Sequence, residues 1–307
     1  MNEVTVLAPA TVANVVCGFD VLGFALEEPY DLITVRKLAE KTIKIKNLDD
    51  FGLPVEPAKN VAGTALLAML EQIDENIGFE VESTKRIKPG SGIGSSAASA
   101  AGVLVGANLL LNQRFSKLEL VEFAMCGEQI ASGAKHADNV APAIIGGFTL
   151  VRANFPLDVV SIDYPQLFVT IVHPQIEIKT AEARAILPKE VSLKNAVRQT
   201  ANVGALVAAL FKKDYGLLAR SLEDCIVEPV RKTLIPHFDE IKSRSLNVGA
   251  IGGGISGSGP SIFMLSDTEE TARKVENSML QIYENAEINF HTYVTKINSE
   301  GVKIAKG

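Results

Sequence analysis

Residues 89–98 read Pro-Gly-Ser-Gly-Ile-Gly-Ser-Ser-Ala-Ala, a composition suited to holding phosphate. Gly90, Gly92 and Gly94 remove side chains, so backbone N–H groups can close around an anion. Pro89, Ser91 and Ile93 complete the cradle. Ser95 and Ser96 open a small-residue helix whose first N–H groups and dipole favour negative charge. No lysine follows the last glycine, so this is not the G-x-x-x-x-G-K-S/T loop. A plain Gly-rich turn before a buried helix is the alternative reading.

Other polar residues stand out against apolar surroundings. Asp20 lies between Phe19 and Val21, with Asn14 nearby, and an isolated carboxylate there needs a partner. His136, Asp138 and Asn139 crowd the start of HADNVAPAIIGG, which is either a satisfied turn or part of a site. Glu128 sits within LVEFAMCGEQIA, as a solvated face residue or as an inward carboxylate for Mg²⁺, which prefers oxygen ligands. Arg184 and Arg231 carry no signal by spacing. The run GGGISGSGPS (252–261) contains a literal G-x-G-x-x-G, but an Ile-Phe-Met-Leu strand pattern follows it instead of a helix. A loop whose backbone approaches another loop or a ligand suits it better than a dinucleotide site.

These residues need elements to position them. With 307 residues, 47% hydrophobic and 21% charged, the chain can fill two ordinary domains. A net charge of −6 argues against a nucleic-acid partner and leaves anion binding to local dipoles and a few cations. Alternation predicts strands at 4–8, 31–37 and 42–48, with a helix from Asn60 to about Asn76 and a strand at 79–87. A helix over Ser95–Leu111 follows, then one capped by Ser116 with Glu119 and reaching about Ser132. Strands are expected at 146–153, 158–164 and 167–174, and helices near 180–187, 192–211, 214–224 and 236–245. A strand near 247–251, another over GPSIFMLS, a helix at 268–285 and a strand at 287–297 end the pattern. The class is α+β, divided into 1–155 and 156–307.

The uncharged stretch 89–113 opens with Gly and Ser and leaves too short an apolar run to span a bilayer, so no membrane partner is expected. Cys17, Cys126 and Cys225 form no C-x-x-C pair, which fits a reducing, cytoplasmic setting, and MNEVTVLAPA is not the pattern of a signal peptide.

Taken together, ATVANVVCGFDVLGFAL, KPGSGIGSSAAS, HADNVAPAIIGGF, KTAEARAILP, IVEPVRKTLIP and GGGISGSGPS resemble the GHMP family of small-molecule kinases. The resemblance implies an N-terminal domain with a left-handed βαβ unit and a C-terminal ferredoxin-like domain. It implies ATP along residues 89–98, Asn60 and Lys85 near the base, and Mg²⁺ at Ser96 and Glu128. It places Asn14, Asp20, His136, Asp138, Asn139, Thr180, Arg184 and Arg231 on the substrate side, with L-homoserine as acceptor and a homodimer as the assembly. Asp20 then suits the substrate ammonium, and the guanidinium forks of Arg184 and Arg231 its carboxylate. Asn139 stands where some relatives have a catalytic Asp; here it orients the hydroxyl while Asp138 orders the substrate. A kinase of this family acting on mevalonate or a sugar, and a non-enzymatic sensor on the same fold, are the alternatives. One departure is Val15-Val16-Cys17, where relatives often have Gly or Leu.

Overall fold

The alternating N-terminal residues pair into two long antiparallel strands, β1 (Glu3–Ala13) and β2 (Leu22–Leu38), broken by a bulge between Pro9 and Thr11. This computed structural model describes residues 2–305. The strict alternation around residue 45 forms β3 (Ile43–Asn47), which lies parallel to β4 (Gly78–Thr84) with α1 (Val61–Leu70) between them. That is the expected βαβ unit. Asn60 caps α1, its Oδ1 accepting from the Gly63 N–H at 3.2 Å. The helix stops at Leu70, earlier than Asn76, because the buried Ile73 lies in the turn after it.

The small-residue segment becomes α2 (Ser95–Leu110), buried along most of its length. Gly102 and Gly106 let it press onto the sheet; a Cβ at Gly102 would stand 2.5 Å from Ile33 Cδ1. The chain then forms α3 (Lys117–Ser132), started by the Ser116–Glu119 capping box, and α4 (Val140–Ile145). The hairpin β5 (Phe148–Asn154) and β6 (Leu157–Ile162) joins the first sheet through β2. The turn at 155–156, where the sequence suggested a division, therefore links two strands of one sheet, and the sheets change between Ile162 and Phe168.

The second sheet begins with the fully buried β7 (Phe168–Pro174). After it come α5 (Thr180–Ala185), α6 (Leu193–Lys212), α7 (Tyr215–Ser221), α8 (Glu228–Arg231) and α9 (Phe238–Asn247). Next are β8 (Gly252–Ile255), β9 (Ile262–Ser266), α10 (Glu269–Asn285) and β10 (Phe290–Lys296), and the strand order is β10-β7-β9-β8. Val172, Ile241, Ile262, Met264, Val275 and Met279 form a core between this sheet and its helices. A short β11 (Lys303–Ile304) returns to pair with β1.

The strand expected near 247–251 is absent, because α9 runs to Asn247 and the glycines themselves form β8. Their lack of side chains is a packing requirement: a Cβ on Gly253 would lie 2.0 Å from the Phe263 carbonyl oxygen. Among the described residues no helix is long and apolar enough to cross a membrane.

Candidate active site

A cleft of about 570 Å³ lies where β1, α2, α4, α5 and α8 converge. Asn14, Asp20, Asn60, Lys85, Glu128, His136, Asp138, Asn139, Thr180, Arg184 and Arg231 all line it. So do Pro89, Gly90, Ser91, Gly92, Gly94, Ser95 and Ser96. Ile93 is the correction: its side chain belongs to the core, and its carbonyl accepts from the Thr11 N–H at 3.1 Å.

The three loop glycines have φ of 75°, 82° and 70°, in the left-handed region. Their missing side chains serve different ends. A Cβ on Gly90 would meet nothing within 4 Å, whereas one on Gly92 would stand 2.5 Å from Gly259 O and one on Gly94 1.9 Å from Thr11 Oγ1. The second Gly-rich run clamps this loop, as Ser256 Oγ donates to Gly92 O at 2.8 Å and Ser261 Oγ to Ser91 O at 2.6 Å. Gly94 is the N-cap of α2 and no side chain caps that end, so its first N–H groups are open to an anion. Gly90→Ala is therefore expected to fold with only the left-handed penalty, about 1–2 kcal/mol, and to weaken ATP binding. Gly92→Ala is expected to lower the melting temperature further, since backbone blocks its Cβ. Melting curves with calorimetric ATP titration decide this; equal stability of the two variants would contradict it.

Lys85 is buried, and its Nζ donates to Asp31 Oδ2 at 2.6 Å, Ser99 Oγ at 2.8 Å and Ser95 O at 3.1 Å. Asp31 Oδ1 accepts the N–H groups of Arg86 and Ile87. All three ammonium donors are thus used in fixing the root of the phosphate loop to α2. Asn60 is similarly occupied, since its Nδ2 donates to Pro54 O at 2.6 Å while its Oδ1 caps α1.

On the opposite wall, Arg184 grips Asp20 with both nitrogens, NH1 to Oδ2 at 3.0 Å and NH2 to Oδ1 at 2.8 Å. Asn14 Oδ1 accepts the Asp20 N–H, and its Nδ2 donates to Gly257 O. Arg231 is buried, donating Nε to Ala183 O and NH1 to Gly257 O. The Phe19 ring lies beside both guanidiniums, 5.2 Å from Arg184 and 5.0 Å from Arg231. Thr180 Oγ1 lies 3.3 Å from Ser258 Oγ. The turn holding these groups is strained: Asn14, Val15, Val16 and Asp20 have φ of 71°, 39°, 62° and 60°. Branched residues at 15 and 16 thus occupy backbone that glycine adopts freely.

Between the walls, Thr11 Oγ1 donates to Asn139 Oδ1 at 2.7 Å, which turns the Asn139 Nδ2 donor to the cleft. His136 is half-buried, its ring nitrogens make no hydrogen bond among the described residues, its Nδ1 stands 3.9 Å from Asp20 Oδ2, and burial lowers its pKa. Burial pushes Asp138 up to about 7, with help from the charges of Asp20 and Glu128. It also pushes Glu128 to about 7, against a hydrogen bond with Ser96 and the charge of Lys85.

Both groups are protonated in the folded chain at a pH where the unfolded chain has ionised. Their contribution to stability is therefore full in acid and is lost as pH rises through about 7. Asp138→Asn removes one of them, so the melting temperature of the ligand-free variant is expected to fall less between pH 5 and 8 than that of the wild type. Parallel curves would refute this.

The GHMP kinases N terminal domain model matches residues 60–147, and the GHMP kinases C terminal model matches 206–285. The chain belongs to the GHMP kinases. A homoserine kinase of Chloroherpeton thalassium is 45% identical, covering 99% of this chain and 100% of that protein. One from Methanocella arvoryzae is 42% identical, covering 99% of this chain and 98% of that protein. The crystal structure of homoserine kinase from Cytophaga hutchinsonii superposes with a TM-score of 0.95 at 46% identity, covering 99% and 98% of the two chains.

Sequence reasoning missed several residues of this GHMP kinase site. Asp31 and Thr11 each look like ordinary strand residues, and Phe19 like an ordinary apolar one. Only pairing across 54, 128 and more than 160 positions respectively reveals their partners. Alternation within β2 places the Asp31 side chain on the same buried face as Ile33 and Val35, and an acid on that face was the one available signal.

Proposed function

We propose that this cleft transfers the γ-phosphoryl group of ATP to the hydroxyl of L-homoserine, giving O-phospho-L-homoserine and ADP. The observation that carries the reading is the wall opposite the phosphate loop. There a carboxylate, Asp20, stands with two guanidiniums, Arg184 and Arg231, in the same cleft as the Gly-rich loop. A zwitterion matches that pattern, its ammonium replacing Arg184 on Asp20 and its carboxylate taking the forks of Arg184 and Arg231. Mevalonate and sugars offer no ammonium. The homoserine kinase names of full-length relatives support the same substrate.

Phosphoryl transfer asks the protein mainly for alignment and charge stabilisation. The glycine N–H groups of the loop and the uncapped first N–H groups of α2 hold the phosphates, and the Asn139 Nδ2 aims the acceptor hydroxyl at them. A loose transition state needs little early deprotonation, so Asp138 orders the substrate and no dedicated base is required. The Ser96 hydroxyl and the buried, hydrogen-bonded Glu128 carboxylate fit Mg²⁺, which takes one or two protein oxygens together with phosphates. When bound, Mg²⁺ would supply positive charge against the phosphate oxygens.

ADP release measured with L-homoserine, mevalonate, galactose and propanolamine tests the assignment, with L-homoserine expected to be the best acceptor. A better rate with mevalonate or galactose would overturn it. Arg231→Ala is expected to lower kcat/KM for L-homoserine by about 10- to 100-fold, the worth of a hydrogen bond to a charged group. The KM for ATP should hold, and an equal loss in ATP binding would remove Arg231 from the substrate wall.

A further inference from the structure

Behind the substrate wall lies a buried polar cluster that none of the steps above employs. Asp224 accepts the N–H groups of Ile226 and Val227 on Oδ1, at 2.8 and 3.0 Å, and that of Glu228 on Oδ2 at 2.8 Å. One carboxylate thereby caps the start of α8, the helix that ends in Arg231. Gln199 of α6 donates its Nε2 both to Asp224 Oδ1 and to Cys17 O, each at 2.9 Å. Its Oε1 accepts the Cys225 N–H at 3.1 Å. Asp224 is 8% exposed and Gln199 9% exposed, so solvent does not replace these bonds.

Cys17 begins the turn that carries Phe19 and Asp20. One side-chain amide therefore ties that turn to the cap of the helix bearing Arg231. The arrangement has a purpose beyond satisfying polar groups. Arg184 and Arg231 repel each other beside Phe19, and Arg231 donates to two backbone carbonyls, those of Ala183 and Gly257. The separation of the two guanidiniums from Asp20 sets whether an ammonium and a carboxylate borne by one carbon can be bound together.

We propose that Gln199 and Asp224 are positioning residues that fix the spacing between Asp20 and Arg231, and so set selectivity for an α-amino acid acceptor. This rests on the homoserine reading above. Gln199→Met keeps the length of the side chain but can neither donate nor accept, and it leaves the three backbone bonds of the Asp224 cap in place. Asp224→Asn keeps Oδ1 and sets an amide N–H₂ against the Glu228 N–H. A displacement of about an ångström at a binding group costs up to about 100-fold, so a partial shift is expected to raise the KM for L-homoserine by about tenfold.

The readout that separates positioning from general damage is selectivity. The wild type and both variants are assayed with L-homoserine, with propanolamine, which keeps the ammonium and hydroxyl but lacks the carboxylate, and with varied ATP. The expected result is a preference for L-homoserine that shrinks by the same factor as its KM rises, with the KM for ATP unmoved. In an Arg231→Ala background, Gln199→Met is expected to add no further loss. Equal losses on both acceptors, a matching loss in ATP affinity, or an undiminished effect without Arg231 would each overturn the proposal. Should Asp224→Asn fail to fold, Gln199→Met decides alone. A wild-type protein inactive on L-homoserine would overturn the substrate reading and this proposal with it, whereas failures confined to the variants overturn the proposal only.

Discussion

Lys85→Met is expected to destabilise the ligand-free protein by about 3–5 kcal/mol, the usual cost of removing one partner of a buried ion pair. The side chains of Lys85 and Asp31 are 3% and 0% exposed and lie 2.6 Å apart. Without the ammonium, Asp31 keeps two backbone donors but loses its counter-charge, Ser99 Oγ loses the Lys85 donor, and Ser95 O keeps only the Ser99 hydroxyl among its side-chain donors. Those two groups belong to the first turns of α2, so the phosphate loop should loosen as well and ATP binding should weaken secondarily. Denaturant unfolding without nucleotide is the check. A variant as stable as the wild type, with ATP binding alone impaired, would mean that Lys85 acts on the nucleotide directly.

Asn139→Ala is expected to lower kcat by about 10²- to 10³-fold, the typical effect of removing one aimed donor from a reacting centre. Both KM values should change little, because the substrate's charged ends are held by Asp20, Arg184 and Arg231. The Thr11 hydroxyl holds the Asn139 amide by its oxygen, so Thr11→Val should show part of the same kcat loss, and none in the Asn139→Ala background. Steady-state kinetics on the three variants decides. Loss of L-homoserine affinity in place of turnover would move Asn139 to substrate holding.

How far the molecule could be read from its residues depended on whether a feature was local. The Gly-rich loop at 89–98 was legible as a turn leading into a helix, because its glycines adopt positive φ and the helix starts without a capping side chain. The Ser116–Glu119 box was legible for the same reason. Glycines misled where tertiary packing required them: in the strand Gly252–Ile255 a Cβ would meet Leu222, the Phe263 carbonyl or Glu228, which composition cannot show. The boundary at 155–156 was drawn through a Phe-Pro turn that joins the two strands of a hairpin. At the site, Arg184 and Arg231 were reached only through the family resemblance, since nothing in their own segments separates them from surface arginines. Lys85, expected near the nucleotide, lines the cleft, and its donors go to Asp31, a partner 54 positions away, to Ser95 O and to Ser99 Oγ, which its own segment does not reveal. The Gln199–Asp224 cluster joins three segments whose sequences give no hint of meeting.

The most direct measurement is identification of the product by phosphorus NMR after incubation with ATP, Mg²⁺ and L-homoserine. The account predicts one phosphomonoester, with phosphorus coupled to the methylene protons next to the former hydroxyl, formed in equal amount with ADP. Inorganic phosphate with ADP and unchanged L-homoserine, or a phosphorylated acceptor that carries no ammonium formed in preference, would contradict it.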